Sequence, residues 1–400
     1  MELFQTLVAL GERKAGSEIG ARARGAIRAY LGARFPGAAV REEPFQILAS
    51  KSDTARIVLG GGQALPVHLY ENTGLEGSAA EGELLWVGSG LNPLGRRRYA
   101  DRIVVFGQSQ FHHRLLQVDS AYRRKARGVI LVTRFGEHVS KGIGYPYQLG
   151  HCEIPVVGMS RATWKRLEAS APGRLRIEYQ NRAEPRQGGN ILIDLFPDRL
   201  ARGTIVLGAH FDSWYSGAQD NTVAVQLLAD LLAELGDVPG GYGVRGVFFD
   251  AEELGVLGAY HHADHCADLD AYRLFVNLEM PVPTLSGKLK LFFYSPHRAL
   301  RRSFSGWRFF GRGVLPVPFR LFYRLAPFFP SDSDPFYRKG IPCVSTFCSN
   351  PNLHTPLDSP ENIRWADYPL VKAYLLAMIR SFCNQALAAS RVDVPKKAPL

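Results

Sequence analysis

From Pro185 onward the chain alternates apolar strand-like runs with helical ones: NILIDLF, GTIVLGAHF, a helix over Asn221 to Leu235, GVRGVFFDA, a helix from Leu254, then RLFVNLEM. This alternation predicts an α/β domain with a mixed, largely parallel sheet flanked by helices, because parallel neighbours need a crossover connection between them. Ahead of it, from about Arg56, short runs (ARIVL, GELLWVG, RIVVFG, GVILVT, IPVVGM) are punctuated by Gly and Pro and predict a β-rich inserted domain. Residues 15 to 35 space Ile19, Ala23, Ile27, Tyr30 and Leu31 at helical period, which predicts an amphipathic helix. The expected division is an N-terminal helical part over 1–50, the insert over 51–183, the α/β domain over 184–388 and a disordered tail over 389–400.

The 400 residues are 46% apolar and 21% charged, which excludes both a single small module and a disordered chain. The first residues, MELFQTLVALGERKAGSE, lack a basic n-region and a small-residue cleavage site, and no run is long enough for a membrane helix. The expectation is a cytoplasmic protein, with a secreted or periplasmic one as the alternative. Five scattered cysteines suit reduced thiols, and Cys343 with Cys348 has no second pair to complete a zinc knuckle. The net charge of +11 is concentrated between Lys288 and Arg324, where nine basic residues meet no acidic one. A solvated face explains such a run; an acidic substrate, an anionic membrane or nucleic acid are the other partners that it could meet, and no nucleic acid is expected.

The stretch VLGAHFDSWYSGAQDNTVAVQLLADLL places His210, Asp212 and Asp220 where a buried strand gives way to an apolar helix. Polar groups there need an ion-pair network, a hydrogen-bonded turn or a metal. Other strand ends add Asp250, Glu252 and Glu253 after GVFF, Glu279 after LFVNL, and His354 in PNLHTPLD. Ligands of α/β domains gather at the carboxyl ends of strands, and imidazole with carboxylate is zinc chemistry. If two metals sit together a carboxylate should bridge them, which assigns His210 and Glu279 to one zinc, Glu253 and His354 to the other, and Asp220 to both. Glu252, beside a ligand but free, is the candidate base, and Asp212 the candidate for orienting His210. The cluster YHHADHC (His261, His262, His265, Cys266) has ligand spacing but is expected at the surface.

The His-x-Asp of GAHFDSW, the Asp-Asn of GAQDNTVA, the paired acids of DAEELGVLGAY, the acid of NLEM, SDSDPFYRKGIP and HTPLD together resemble the co-catalytic di-zinc aminopeptidases, a family that includes bacterial secreted aminopeptidases, aminopeptidase Y and glutamate carboxypeptidases. The likeness runs from about Asn190 to Phe382; RRKARGVILV and CEIPVVGMS in the insert resemble a protease-associated domain. The resemblance implies a zinc-exopeptidase (phosphorylase/hydrolase-like) fold, two Zn2+ ions and a peptide substrate hydrolysed by a metal-bridging water. The implied activity is that of an aminopeptidase, with carboxypeptidase, dipeptidase or a non-catalytic binding protein on the same fold as alternatives. Glu279 stands where the family usually has Asp, Ser333 where many members have His, and Leu353 where some have Tyr. Tyr337 and the second zinc are then the candidates for stabilising the tetrahedral intermediate, and Arg320 and Arg324 for contacting acidic substrates from a basic wall of the site.

Overall fold

A computed structural model describes residues 1–50, 54–59, 62–88, 99–108, 114–134, 136–147, 150–170, 173–236, 238, 240–286, 292–294, 315–317 and 331–388. Two helices open the chain, α1 (Glu2–Ala9) and α2 (Glu18–Arg34). Ser17 caps α2 by accepting a hydrogen bond from Gly20 N, and the expected stripe of Ala23, Ile27 and Leu31 is buried. The next element, β1 (Ala39–Ser50), departs from a purely helical N-terminal part. In it Phe45, Ile47 and Ala49 are buried while Pro44, Gln46 and Leu48 are exposed. Its polar first half and Pro44 hide this alternation, but β1 is an edge strand, the position in a sheet where proline is tolerated.

The β-rich segment is a closed seven-stranded barrel. It comprises β2 (Thr54–Val58), β3 (Ala64–Leu69), β4 (Ala79–Gly88), β5 (Arg102–Gly107), β6 (Gly128–Val132), β7 (Val156–Met159) and β8 (Arg174–Gln180), with helices α3 (Arg114–Arg123) and α4 (Arg161–Ala169) between strands. The run RIVVFG is apolar throughout because both its faces are covered: Ile103 and Val105 join one apolar cluster with Ile57, Ile130 and Ile177, and Val104 and Phe106 join another with Val118 of α3.

The chain then enters the main sheet through β9 (Ala183–Leu195), followed by β10 (Thr204–His210), α5 (Val223–Leu235), β11 (Gly243–Phe249), α6 (Leu257–His265), β12 (Tyr272–Asn277), β13 (Phe292–Tyr294), β14 (Leu315–Val317), α7 (Ser333–Arg338), β15 (Cys343–Phe347) and α8 (Tyr368–Ala388). Eight strands run in the order β1-β9-β11-β10-β12-β15-β13-β14. The pairs β10–β11, β10–β12, β12–β15 and β13–β14 are parallel, while β1–β9, β9–β11 and β13–β15 are antiparallel, so the sheet is mixed with a parallel centre. Strand residues alternate between two cores. Ile205, Leu207 and Ala209 face α5 and α8, while Val206, Val247, Phe249 and Phe275 face α6 and Phe336 of α7. A sheet apolar on both faces must be sandwiched between helices.

This topology fixes where a site can form. From β10 the chain crosses through α5 to β11 on one side, then through α6 back over to β12 on the other. The strand order therefore reverses at β10, and the crevice outside the carboxyl end of such a strand is where α/β sheets bind ligands. Among the described residues no helix is long and apolar enough to cross a membrane.

At Gly208, in the middle of β10, an added Cβ would lie 2.5 Å from Phe249 Cε2 and 2.8 Å from Phe275 Cε2. Gly208→Ala should lower the unfolding free energy by about 1–3 kcal/mol through overpacking. Urea unfolding of wild type and variant checks this; an unchanged midpoint would mean that the two rings are not in contact with the strand backbone.

Candidate metal centre

β10 ends at His210, and the chain turns through Phe211–Thr222 before α5. That turn carries Asp212, Trp214 and Asp220, and its shape is imposed by a buried arginine. Arg13 is fully buried, and its guanidinium donates to Phe211 O (2.8 Å), Ser216 O (3.1 Å) and Thr222 Oγ1 (2.6 Å), while also holding Leu7 O (3.0 Å) and Gly11 O (2.9 Å). Burial pulls its pKa down to about 10 against the charges of Asp212, Asp358 and Asp220. The far end of the turn is zipped to the segment after β12. Asn221 Nδ2 donates to Leu278 O (2.8 Å) and its Oδ1 accepts from Met280 N (3.0 Å), which brackets Glu279; Gln219 Nε2 donates to Val282 O (2.8 Å).

The sequence-derived metal residues come together in two groups that share one member: His210, Asp220 and Glu279, and Asp220, Glu253 and His354. All are buried, and the candidate ligand atoms within each group lie within 4.8 Å of one another. His210 Nε2 is 3.2 Å from Asp220 Oδ1 and 3.7 Å from Glu279 Oε1. His354 Nε2 is 3.1 Å from Asp220 Oδ2 and 3.1 Å from Glu253 Oε2. Asp220 thus turns one oxygen to each imidazole. Both imidazoles point Nε2 inward because Nδ1 is engaged elsewhere, on Asp212 O (3.1 Å) for His210 and Lys141 O (3.1 Å) for His354.

Asp212 stands beside His210, where the expected orienting role places it, and it also holds the next turn. Its carboxylate is 3.4 Å from His210 Nδ1, but its closer partners are the backbone amides of Glu252 (3.1 Å) and Glu253 (3.0 Å). It therefore locks the turn after β11, while its own main-chain carbonyl orients His210. Glu252, the candidate base, sits with Oε2 3.9 Å from His210 Nε2.

Several members of the site were not legible in the sequence. Trp214 Nε1 donates to Glu253 Oε2 at 2.8 Å, and Asp358 accepts from Gln219 N (2.8 Å) and Asp220 N (3.1 Å), fixing the shared carboxylate from behind. Asp358 closes the HTPLD motif already quoted, whereas nothing around Arg13 or Trp214 marks them as partners of the site. Asp332, in SDSDPF, is fully buried, and neither carboxylate oxygen has a hydrogen-bond partner among the described residues. Tyr337, from the same segment, packs against the core layer of Phe249, Phe275 and Phe336. Arg320, Arg324 and the proposed disordered tail lie outside the described residues.

In the histidine cluster His265 is exposed as expected, but His262 corrects the surface expectation. His262 is buried, with Nδ1 3.1 Å from Glu43 and Nε2 2.7 Å from Tyr272 Oη, because α6 packs across β1 and β9 at that point; it forms no metal group among the described residues. His261 and His265 stack with ring centroids 4.2 Å apart. All five cysteines are free.

The electrostatics of the cluster call for a cation. Burial, then the charge of Glu279, raises the Glu252 pKa well above the carboxylate range against the pull of His210; Glu253, Glu279 and Asp332 are raised by burial too. Burial lowers the His354 pKa, but Glu253 and Asp220 outweigh it and bring the pKa up to about 9; His210 is driven well above its usual value by Glu252, Glu279, Asp212 and Asp220 in the same way. Asp220, facing both imidazoles, is pulled down despite its burial. His210 Nε2, Glu253 Oε1 and Glu279 Oε2 are buried without a hydrogen-bond partner among the described residues. Three such atoms, spread over two groups that share Asp220, are costly to bury unless a cation takes them. Imidazole nitrogen with carboxylate oxygen is a donor set that suits zinc.

A mixed α/β sheet with imidazole and carboxylate groups gathered at the carboxyl end of its central strands has the donor set and the placement of a metal-binding site. Residues 190–379 match the family model described as Peptidase family M28. Aminopeptidase YwaD of Bacillus subtilis (strain 168) is 26% identical over 235 residues, covering 52% of this chain and 47% of that protein, so the chain spans about half the length of the curated relative it matches. Among solved structures, the zinc aminopeptidase BSAP from Bacillus subtilis superposes with a TM-score of 0.72 at 18% identity, covering 97% of this chain and 93% of that one. The aminopeptidase from Aneurinibacillus sp. strain AM-1 does so with 0.63 at 20% identity, covering 99% and 96%. These likenesses show that the fold, barrel included, is shared along the whole chain.

Trp214→Phe removes the indole N–H that holds Glu253 while keeping an aromatic ring. Zinc affinity should fall by about 10- to 100-fold, the usual effect of losing a hydrogen-bond partner behind a ligand. Titration against a competing chelator measures it, and an unchanged affinity would remove Trp214 from the support of the site.

Proposed function

We propose that this protein is a zinc-dependent aminopeptidase that holds two zinc ions and removes residues from the amino end of peptides. The observation that carries the reading is Asp220, whose two carboxylate oxygens lie 3.2 Å and 3.1 Å from the Nε2 atoms of two different histidines, each of which has a further carboxylate beside it. One carboxylate placed between two such groups is the arrangement that a pair of ions about 3.5–4 Å apart requires. His210 and Glu279 would hold one zinc, Glu253 and His354 the other, and Asp220 both. The match of residues 190–379 to the Peptidase family M28 model supports peptide hydrolysis, and the relatives named aminopeptidases support the amino end over the carboxyl end.

When bound, the zinc ions supply Lewis-acid polarisation of a peptide carbonyl and of water. The chain's own residues supply proton transfer and positioning. Glu252 is held at the rim of the cluster by the Asp212 carboxylate, which accepts its backbone N–H, and its raised proton affinity suits a group that must take a proton from the attacking water and return it to the leaving amine. Asp358 holds the backbone N–H groups of Gln219 and Asp220, and Arg13 holds the Thr222 hydroxyl two residues on, which braces the turn that carries the shared carboxylate.

Glu252→Gln should lower kcat by about 100-fold or more with both zinc ions retained, the size expected for loss of a general base. Turnover near wild type in a zinc-replete variant would assign the proton transfer elsewhere. Exposure to chelator should abolish hydrolysis of peptides with a free amino end, added zinc should restore it, and peptides acetylated at that end should resist cleavage. Equal cleavage of acetylated peptides would contradict the aminopeptidase reading while leaving the metal centre standing.

A further inference from the structure

The two histidines of the metal centre are not held by the same part of the molecule. His210 has its Nδ1 on Asp212 O, two residues along its own turn. His354 depends on the barrel: its Nδ1 donates to Lys141 O (3.1 Å) and its own carbonyl accepts from Lys141 N (3.0 Å). This reciprocal pair grips a residue in the left-handed backbone region, at φ 58°. A histidine rarely adopts that conformation unless its surroundings determine it from more than one side.

Lys141 is itself fixed from both domains. Its Nζ lies 2.6 Å from Glu12 Oε2 and 4.6 Å from the centroid of the Tyr215 ring. Tyr215 N donates to the same Glu12 carboxylate (3.3 Å), and Tyr215 Oη donates to Val139 O (3.0 Å). On the barrel side, Glu71 N donates to Gly142 O (3.0 Å) and Gly144 N donates back to Glu71 O (2.9 Å). Glu71 also accepts from Ser50 N (3.2 Å) and pairs with Lys14 at the junction of the two domains. The loop from Val139 to Gly144 is therefore braced at both ends, with the carbonyl that orients His354 at its centre.

We infer that the β-barrel is part of the metal centre: its Val139–Gly144 loop, through the main chain of Lys141, positions His354 and so sets the affinity of the zinc site formed by Glu253 and His354, leaving the site formed by His210 and Glu279 untouched. This rests on the two-zinc reading above. Lys141 is a positioning residue, since it acts on the ligand and not on the metal or the substrate. Because coupling between sites is reciprocal, zinc bound at His354 must in turn hold the loop against the α/β domain.

The test uses the full chain and zinc alone. Wild-type protein is first titrated with zinc against a chelator; two equivalents per chain are expected, and fewer than two would overturn the two-zinc reading and this inference with it. The double variant K141A/Y215F keeps the Lys141 carbonyl but frees the loop from Glu12, from the Tyr215 ring and from the Tyr215 hydroxyl. It should hold one zinc as tightly as wild type and the other about 10- to 100-fold more weakly. Unchanged affinity at both sites, or equal weakening of both, would overturn the assignment while the two-zinc reading stands. Should the variant not fold, amide exchange of the wild type decides: zinc should slow exchange of the Lys141 amide by about tenfold, in the usual range for coupled sites, and a rate indifferent to zinc would overturn the coupling.

Discussion

The arrangement of the whole active end depends on one carboxylate shared between two imidazoles. Asp220 is buried between His210 and His354, with Asp358 fixing its backbone from behind. Around it Asp212, Glu253, Glu279 and Asp332 are buried too, far more negative charge than two imidazoles balance. Burial, with the neighbouring carboxylates adding to it, raises the proton affinities of Glu253, Glu279 and Asp332, an electrostatic setting that suits a cation better than packing alone. Metal binding would then be coupled to folding: whatever stability the metal-free cluster forfeits is regained by mass action when a metal binds only the folded chain.

The sheet determines which residues can converge. β10 lies between β11 and β12, and the three strands end side by side, so His210, the acids after Phe249 and Glu279 meet without any long excursion of the chain. His354 comes from farther along, after β15, and reaches the cluster on a loop with little regular structure of its own. That difference explains why the other four candidate ligand positions are fixed by strand ends and local turns, while His354 is gripped by main chain from the barrel.

How much of this the sequence disclosed follows from the reach of each interaction. The strands and helices after Pro185 and the amphipathic α2 were legible because their periodicities are local, and the acids and histidines that meet at the strand ends because such groups have no packing reason to exist there. The supports were not legible. Arg13 looks like one more basic residue in GERKAG, yet it bonds to carbonyls some two hundred positions away. Lys141 acts through its main chain, which has no sequence signature at all. Likewise His262 reads as one of a surface run, and only the packing of α6 on β1 and β9 buries it against Glu43 and Tyr272. The edge strand β1 was missed because a polar half and a proline mask its alternation.

Diffraction from crystals of the zinc-loaded protein, with anomalous data collected on both sides of the zinc edge, addresses the central arrangement directly. Two anomalous peaks about 3.5–4 Å apart are expected, with the Asp220 carboxylate spanning them and one histidine on each. A single peak, or two peaks with Asp220 bound to only one, would contradict it.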